Sequence, residues 1–465
     1  MTEPIIIAPD MALPIQVPPP TPIQNPTMSG GIVTPSNPLY ACSRLDFNRK
    51  VIKNPSYINF CFSNEDVLSA LNYARQTHMP FRIRTGRNDY EVNSNVDAGL
   101  VIDMSKMHYI QLNIYKRTVK VGGGTLVGEV YRALAKCGYT IPSGTYRDVG
   151  LVSLTSTGGI GFASRYLGLT CDYLKEVELI TGEGKMIVAN TYENPDLFWA
   201  IRGGLGANFG VIVSMTYRIV PVQKVTVCEI EWECCYSHKV LYAWQFLQAH
   251  MDNRFTSTVK IIRNEEGKMC LRLEGVFWGR RNELVRELSP LLGYVPVMNQ
   301  YVATVPYEEA IEKMVQDQPG CCAFKGTSSF IYEPLSCETI CRLIEDLEQS
   351  PLGSWQSLEF KALGGNISKV GADETAYAHR EALFLIEIKS IWAYEGLDAE
   401  GIQWVNHVKY FLDGFGRGAY RGCTDFNIEN WAEQYYGTHY RKLQIVKSQY
   451  DPENILHFPQ SIQLI

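Results

Sequence analysis

Residues 194–212 read NPDLFWAIRGGLGANFGVI: a short aromatic-bearing helical segment, four glycines around one asparagine, and the start of an apolar strand, VIVSMTY. Glycine tolerates positive φ and lets backbone approach another surface closely. A run this dense at 203–210 reads either as a bulge at a sheet edge or as backbone pressed against a flat or anionic ligand. Two further loops favour the ligand. TSTGGIG (155–161) and RTGRNDYE (84–91) also stand where a strand ends or a helix opens, and the N–H groups of such turns can converge on a phosphate. None of the three has the GxGxxG or GxxxxGK[ST] spacing of single-loop nucleotide sites. The expected ligand is therefore an extended dinucleotide wrapped by several loops.

The rest of the chain suits such an enzyme. Its 465 residues are 46% hydrophobic and 20% charged, enough for a large core and more than one domain. A formal net charge of −6 and the lack of a basic stripe argue against nucleic acid. No apolar run is long enough to span a bilayer, and the N-terminus lacks a signal-peptide pattern, so a cytoplasmic location without membrane attachment is expected. The 13 cysteines are scattered without CxxC spacing and read as reduced thiols. Cys337 and Cys341 lie one helical turn apart, but nothing nearby completes a metal shell, so no metal is expected. The sequence assigns no oligomeric state.

Periodicity gives an α+β chain. Residues 1–37, with VPPPTPIQNPT, read as a Pro-rich tail. Short strands are expected at 56–61, 81–84, 100–103, 110–114 and 118–121. A helix is expected after Ser63, which caps it while Asp66 answers at the N3 position. Beyond Pro221 the texture changes to long alternating strands, 225–233 and 269–278, with helices around 240–251 and 336–349. Near the end, Asn430 and Glu433 form a second capping pair before one helix that stops at Asp451-Pro452.

Taken together, PFRIRTGRNDYE, TVKVGGG, the run GLTCDYLKEVELITGEG to NPDLFWAIRGGLGANFGVI, FKALGGNISKV with TAYAHR, and YYGTHYRKLQIVKSQYDPENILHFPQSI resemble the berberine bridge enzyme-like FAD-linked oxidases of the vanillyl-alcohol oxidase superfamily. The resemblance runs from about residue 38 to the C-terminus. It implies a two-part FAD-binding domain (38–221 and 426–465) around an α+β substrate domain with an antiparallel sheet (222–425). It also implies FAD as the ligand of the glycine loops. Arg84, Thr85, Gly86, Arg87, Asn88, Asp89, Tyr146, Val149, Gly150, Ser156, Gly158, Gly159, Gly161, Gly206, Asn208, Gly210, Val211 and Tyr436 are the expected cofactor-binding residues.

Departures from the family pattern are specific. Where the family reads RSGGHSYE with a histidine bonded to the flavin, this chain has Asn88, and Arg87 replaces a glycine. Where a second, cysteine tether stands in a GVCPTVG-like stretch, GTYRDVG (144–150) places Tyr146. FAD is accordingly expected to bind noncovalently. The YxNY motif that brings a tyrosine to the substrate reads YRGC (420–423), and Glu387 stands in ALFLIEIKSIW (382–392) where glutamine is common. Strand alternation puts Leu385, Glu387 and Lys389 on one face. Glu387 is thus the expected proton acceptor, its pKa raised by burial among Leu385, Phe384 and Tyr435 unless Lys389 holds it ionised, with Lys389, Cys423 and Tyr435 beside it. The implied activity is hydride transfer from a small-molecule alcohol, sugar or natural product to FAD, with molecular oxygen as possible acceptor. Val149 stands at the family's oxygen gate. The alternative is a non-redox cyclase or binding protein that kept the fold.

Overall fold

The structure is a computed structural model, and it describes residues 28–317, 322–393 and 396–465. Most of the expected Pro-rich tail lies outside the described residues. Its last stretch does not behave as a tail: Gly31–Val33 forms strand β1, bonded antiparallel to β2 (Tyr57–Phe60), with Ile32 opposite Asn59. The tail reading at 28–37 is corrected accordingly, because edge pairing gives this short segment backbone partners that composition does not reveal.

β3 (Phe81–Arg84) and β2 both run parallel to β4 (Leu100–Asp103), giving the order β1-β2-β4-β3. The helix Asn64–Thr77 makes the crossover from β2 to β3, burying Val67, Leu71 and Ala74. Ser63 Oγ caps it by accepting from Asp66 N–H at 3.3 Å, while the Asp66 carboxylate takes the Phe62 N–H at 3.0 Å.

A second sheet takes β5 (Ile110–Asn113), β6 (Thr118–Gly122) and, after the short β7 (Tyr139–Thr140), β8 (Leu174–Ile180), β9 (Met186–Asn190) and β10 (Val211–Arg218). Its order is β5-β6-β10-β8-β9, and β11 (Val220–Pro221) pairs with β7.

The third sheet is antiparallel throughout: β12 (Lys224–Trp232), β13 (Phe255–Arg263), β14 (Met269–Phe277), β15 (Asn299–Pro306), β16 (Ala323–Ile331), β17 (Ser354–Ala362) and β18 (Phe384–Trp392), in the order β15-β12-β14-β13-β17-β18-β16. Alternation decides its two faces. Ile230, Ile261, Leu273, Leu358, Phe360, Ile386 and Ile388 share one hydrophobic cluster with the helices Ser237–His250, Cys337–Glu348 and Asp398–Leu412. The opposite face carries Lys260, Glu274, Glu359, Lys361, Glu387 and Lys389, all but Lys361 under a tenth exposed.

The final helix is two helices. Trp431–Tyr436 ends at Gly437, whose φ of 51° breaks the run, and Tyr440–Tyr450 follows. Asn430 makes no side-chain cap, so the expected capping pair is absent. Among the described residues no helix is long and apolar enough to cross a membrane.

Candidate active site

Between β3 with the loops beside it and the charged face of the large sheet lies a cavity of about 1400 Å³, its open mouth included. One wall is the loop Thr85–Asp89 continuing to Tyr90, Asn93 and Ser94. A second is Gly144–Tyr146 with Val149 and Gly150, a third is Tyr420–Thr424, and Lys361 and Glu387 of the large sheet close the cavity.

The two loops on the first walls meet backbone to backbone. A Cβ on Gly86 would stand 2.4 Å from the Gly150 nitrogen, so no larger residue fits. Asn88 ties them together, its Nδ2 donating to Gly86 O at 2.7 Å and to Asp148 O at 2.8 Å. Arg87 holds a left-handed φ of 61°, the conformation for which glycine is the usual residue. Its guanidinium reaches the buried Asp103 carboxylate at 3.3 Å. Asp89 accepts from the N–H groups of Glu91 and Asn93 at 3.0 and 2.9 Å, which turns the chain into the cavity wall. Asn93 and Arg421 on that lining carry buried polar atoms without a hydrogen-bond partner: both amide atoms of Asn93, and Nε and Nη2 of Arg421. A glycine cradle with orphaned donors fits a large polar ligand such as FAD.

Of the expected cofactor residues, Thr85, Gly86, Arg87, Asn88, Asp89, Tyr146, Val149 and Gly150 line the cavity, and Glu387 and Cys423 line it as well. Arg84 does not: fully buried, it donates to Asp103 Oδ2 at 2.9 Å and to Ser43 O at 2.8 Å. Ser156, Gly158, Gly159, Gly161, Gly206, Asn208, Gly210, Val211 and Tyr436 also stand behind the lining, where their neighbours Thr157, Ile160, Leu205 and Ala207 face inward. The space a side chain would take at several of these glycines is filled by protein. A Cβ on Gly161 would lie 1.7 Å from Ser143 O, on Gly159 2.2 Å from Thr170 Oγ1, on Gly206 2.3 Å from Ile212 Cδ1 and on Gly210 2.4 Å from Leu179 Cδ1. Asn208 accepts from Ile462 N–H at 2.9 Å and fixes the C-terminal segment. Tyr435 is not among the lining residues either: its Oη accepts from Asp425 N–H at 2.9 Å, and its ring lies under the Arg421 guanidinium.

On the sheet, Glu359 and Glu387 lie directly opposite each other on β17 and β18. Like charges in that register repel, and two lysines resolve it. Lys361 reaches Glu387 at 2.5 Å. Lys389 reaches Glu387 at 2.7 Å and Glu359 at 2.9 Å. Lys389 Nζ also donates to Tyr146 Oη at 3.2 Å, across from the loop wall.

This square decides between the two expectations for Glu387: Lys389, joined by Lys361, holds it ionised. Burial alone pushes its carboxyl up, but Lys361 and Lys389 outweigh it and hold the group down at about 2. The two carboxylates keep Lys389 well above the ordinary ammonium value. A carboxylate held so low is a weak base. Cys423 does not replace it, because burial pushes its thiol up rather than down. Buried Tyr90 and Tyr420 are pushed up in the same way.

Sequence reasoning missed Tyr90, Asn93, Glu359, Lys361 and Arg421. Glu359 and Lys361 had a readable signal, an acid and a base two apart in an apolar strand, the same pattern that singled out Glu387 and Lys389. Tyr90, Asn93 and Arg421 had none, since loop geometry alone turns them inward.

Family models match the chain twice, an FAD binding domain over residues 55–190 and a berberine and berberine-like domain over 419–463. The chain is 37% identical over 445 residues to an uncharacterized FAD-linked oxidoreductase, YgaK, of Bacillus subtilis (strain 168), covering 94% of this chain and 97% of that one. It is 27% identical to the monolignol oxidoreductase AtBBE-like 13 of Arabidopsis thaliana, over 88% of this chain and 84% of the relative. Among solved structures, Physcomitrella patens BBE-like 1 superposes with a TM-score of 0.85 at 25% identity, covering 94% of this chain and 97% of that one.

Proposed function

The chain belongs to the berberine bridge enzyme-like family of FAD-linked oxidoreductases, and from that membership we propose that it oxidises a small-molecule alcohol, sugar or natural product with noncovalently bound FAD. The observation that carries the reading is the cavity itself. Its glycine cradle faces a fixed set of charges on the substrate-side sheet, with open volume between them. FAD, when bound, supplies the two-electron acceptor for a hydride from a substrate C–H. Thr85–Asp89, Gly150 and the orphaned donors of Asn93 and Arg421 would hold it. Glu359 and Glu387 fix Lys361 and Lys389 as ammonium groups beside the substrate space.

Noncovalent binding is supported by Asn88 and Tyr146 at the two tether positions. The Asn88 amide is committed to bracing two loops and the Tyr146 oxygen to Lys389. Val149 on the cavity wall supports oxygen as the electron acceptor, and the free thiols among the described cysteines support a reducing, cytoplasmic location. The relative named as a monolignol oxidoreductase makes hydroxylated aromatics a first substrate set. Purified protein is expected to be yellow and to bleach anaerobically with a member of a panel of such alcohols, sugars and natural products. Acid denaturation should leave the flavin in the supernatant, and the reduced flavin should recolour on admitting air. A colourless protein that takes up no FAD would sink the reading and favour a binding protein on the same fold.

A further inference from the structure

The Lys389–Tyr146 contact has a direction. Lys389 Nζ donates to Glu359 Oε1 at 2.9 Å and to Tyr146 Oη at 3.2 Å, and is ion-paired with the Glu387 carboxylate at 2.7 Å. The ammonium is thereby locked, and it occupies the acceptor side of the Tyr146 hydroxyl. A hydroxyl that accepts from a cation must aim its own hydrogen elsewhere. Tyr146 lines the cavity, so a ligand there can meet that hydrogen.

The backbone beneath it is equally fixed. Tyr146 bridges to Gln316, Gln316 N–H donates to Thr145 O at 2.9 Å, Arg147 N–H donates to Gln316 O at 2.8 Å, and Asn88 braces Asp148. A donor held in this way needs no reorganisation when a ligand arrives. Chaining it to an ammonium strengthens it toward an anionic oxygen. Tyr420 is not an equivalent donor, because its Oη already lies 3.3 Å from both Thr157 Oγ1 and Gly159 N.

We propose that Tyr146, backed by Lys389, forms an oxyanion-binding dyad that grips the ionised or ionising hydroxyl oxygen of the substrate, which makes phenols and similarly acidified alcohols the preferred class. This deepens the oxidoreductase reading of the same cavity and rests on it. The other charged or titratable groups around the dyad are Lys361, Glu359, Glu387, Tyr90 and Cys423. The four charges of the sheet cancel in pairs, so the dyad's pull on an anion is local.

The test is binding of para-chlorophenol to the FAD-loaded protein, followed by the long-wavelength absorbance that a phenolate stacked on oxidised flavin produces, with para-chloroanisole as the probe that cannot ionise. Tyr146→Phe should weaken para-chlorophenol about tenfold to a hundredfold, the scale of one charge-assisted hydrogen bond, and leave para-chloroanisole unchanged, both measured at matched FAD occupancy. Lys389→Met should weaken it too, and the double variant should lose no more than the worse single one. Equal affinity in wild type and Tyr146→Phe, equal losses for both probes, or no binding of para-chlorophenol to the wild type would each overturn the dyad. Flavin content separates the two readings. If the protein takes up no FAD, the oxidoreductase reading falls, and calorimetry of the same probes on the apoprotein, wild type against Tyr146→Phe, still decides the dyad.

Discussion

Replacing Glu387 by glutamine removes one negative charge from a buried square and leaves Lys361 and Lys389 facing Glu359 alone. The magnitude follows from the carboxyl's displacement, from 4.5 down to about 2. At about 1.4 kcal/mol per unit, the folded protein gains about 3 kcal/mol from ionised Glu387 at neutral pH. Breaking a buried ion pair by removing one partner costs about 3–5 kcal/mol, the same range. The sign in pH is set because the folded value is the lower one. The stabilisation is fully present above the unfolded value near 4.5 and is lost as pH falls through the folded value near 2. Urea unfolding of the wild type and Glu387→Gln, at about pH 7, 5 and 3, should show the variant less stable by about 3 kcal/mol at the first two and the gap narrowing at the third. Equal stability at neutral pH, or a gap that does not narrow in acid, would refute the square as the source of the depressed carboxyl.

Gly86→Ala should lower FAD affinity at least about tenfold, read by equilibrium dialysis, because its methyl would stand 2.4 Å from the Gly150 nitrogen and push the two loops apart. Asn88→Ala removes two donated hydrogen bonds and should destabilise the apoprotein by about 2 kcal/mol. A melting temperature equal to that of the wild type would show that the brace contributes nothing. Tyr435→Phe should cost about 1–3 kcal/mol through loss of the Asp425 N–H contact, while flavin reduction proceeds at the wild-type rate, as expected of a phenol that faces Asp425 rather than the cavity. A slowed reduction with stability unchanged would return Tyr435 to the reacting groups.

What the sequence determined by itself is local or strongly periodic. Alternation in β12, β14 and β18 marked the large sheet, and the apolar spacing of Val67, Leu71 and Ala74 marked the crossover helix, because side-chain direction follows from backbone period alone. Glycine density at 84–91, 155–161 and 203–210 located the parts of chain where backbones come close. It did not say what they approach, since Gly161, set behind the lining against Ser143 O, looks the same in sequence as Gly86, set against Gly150 N in a loop that lines the cavity. Only the tertiary structure separated them. It also decided the chemistry of Glu387. Lys361 lies 26 residues away in sequence yet 2.5 Å away in space, and a carboxyl's proton affinity depends on every charge packed around it, which strand pairing alone brings together. A separation of 243 residues in sequence hid Tyr146 from Lys389, so a cavity hydroxyl polarised by a held ammonium exists only once the loop and the sheet have met.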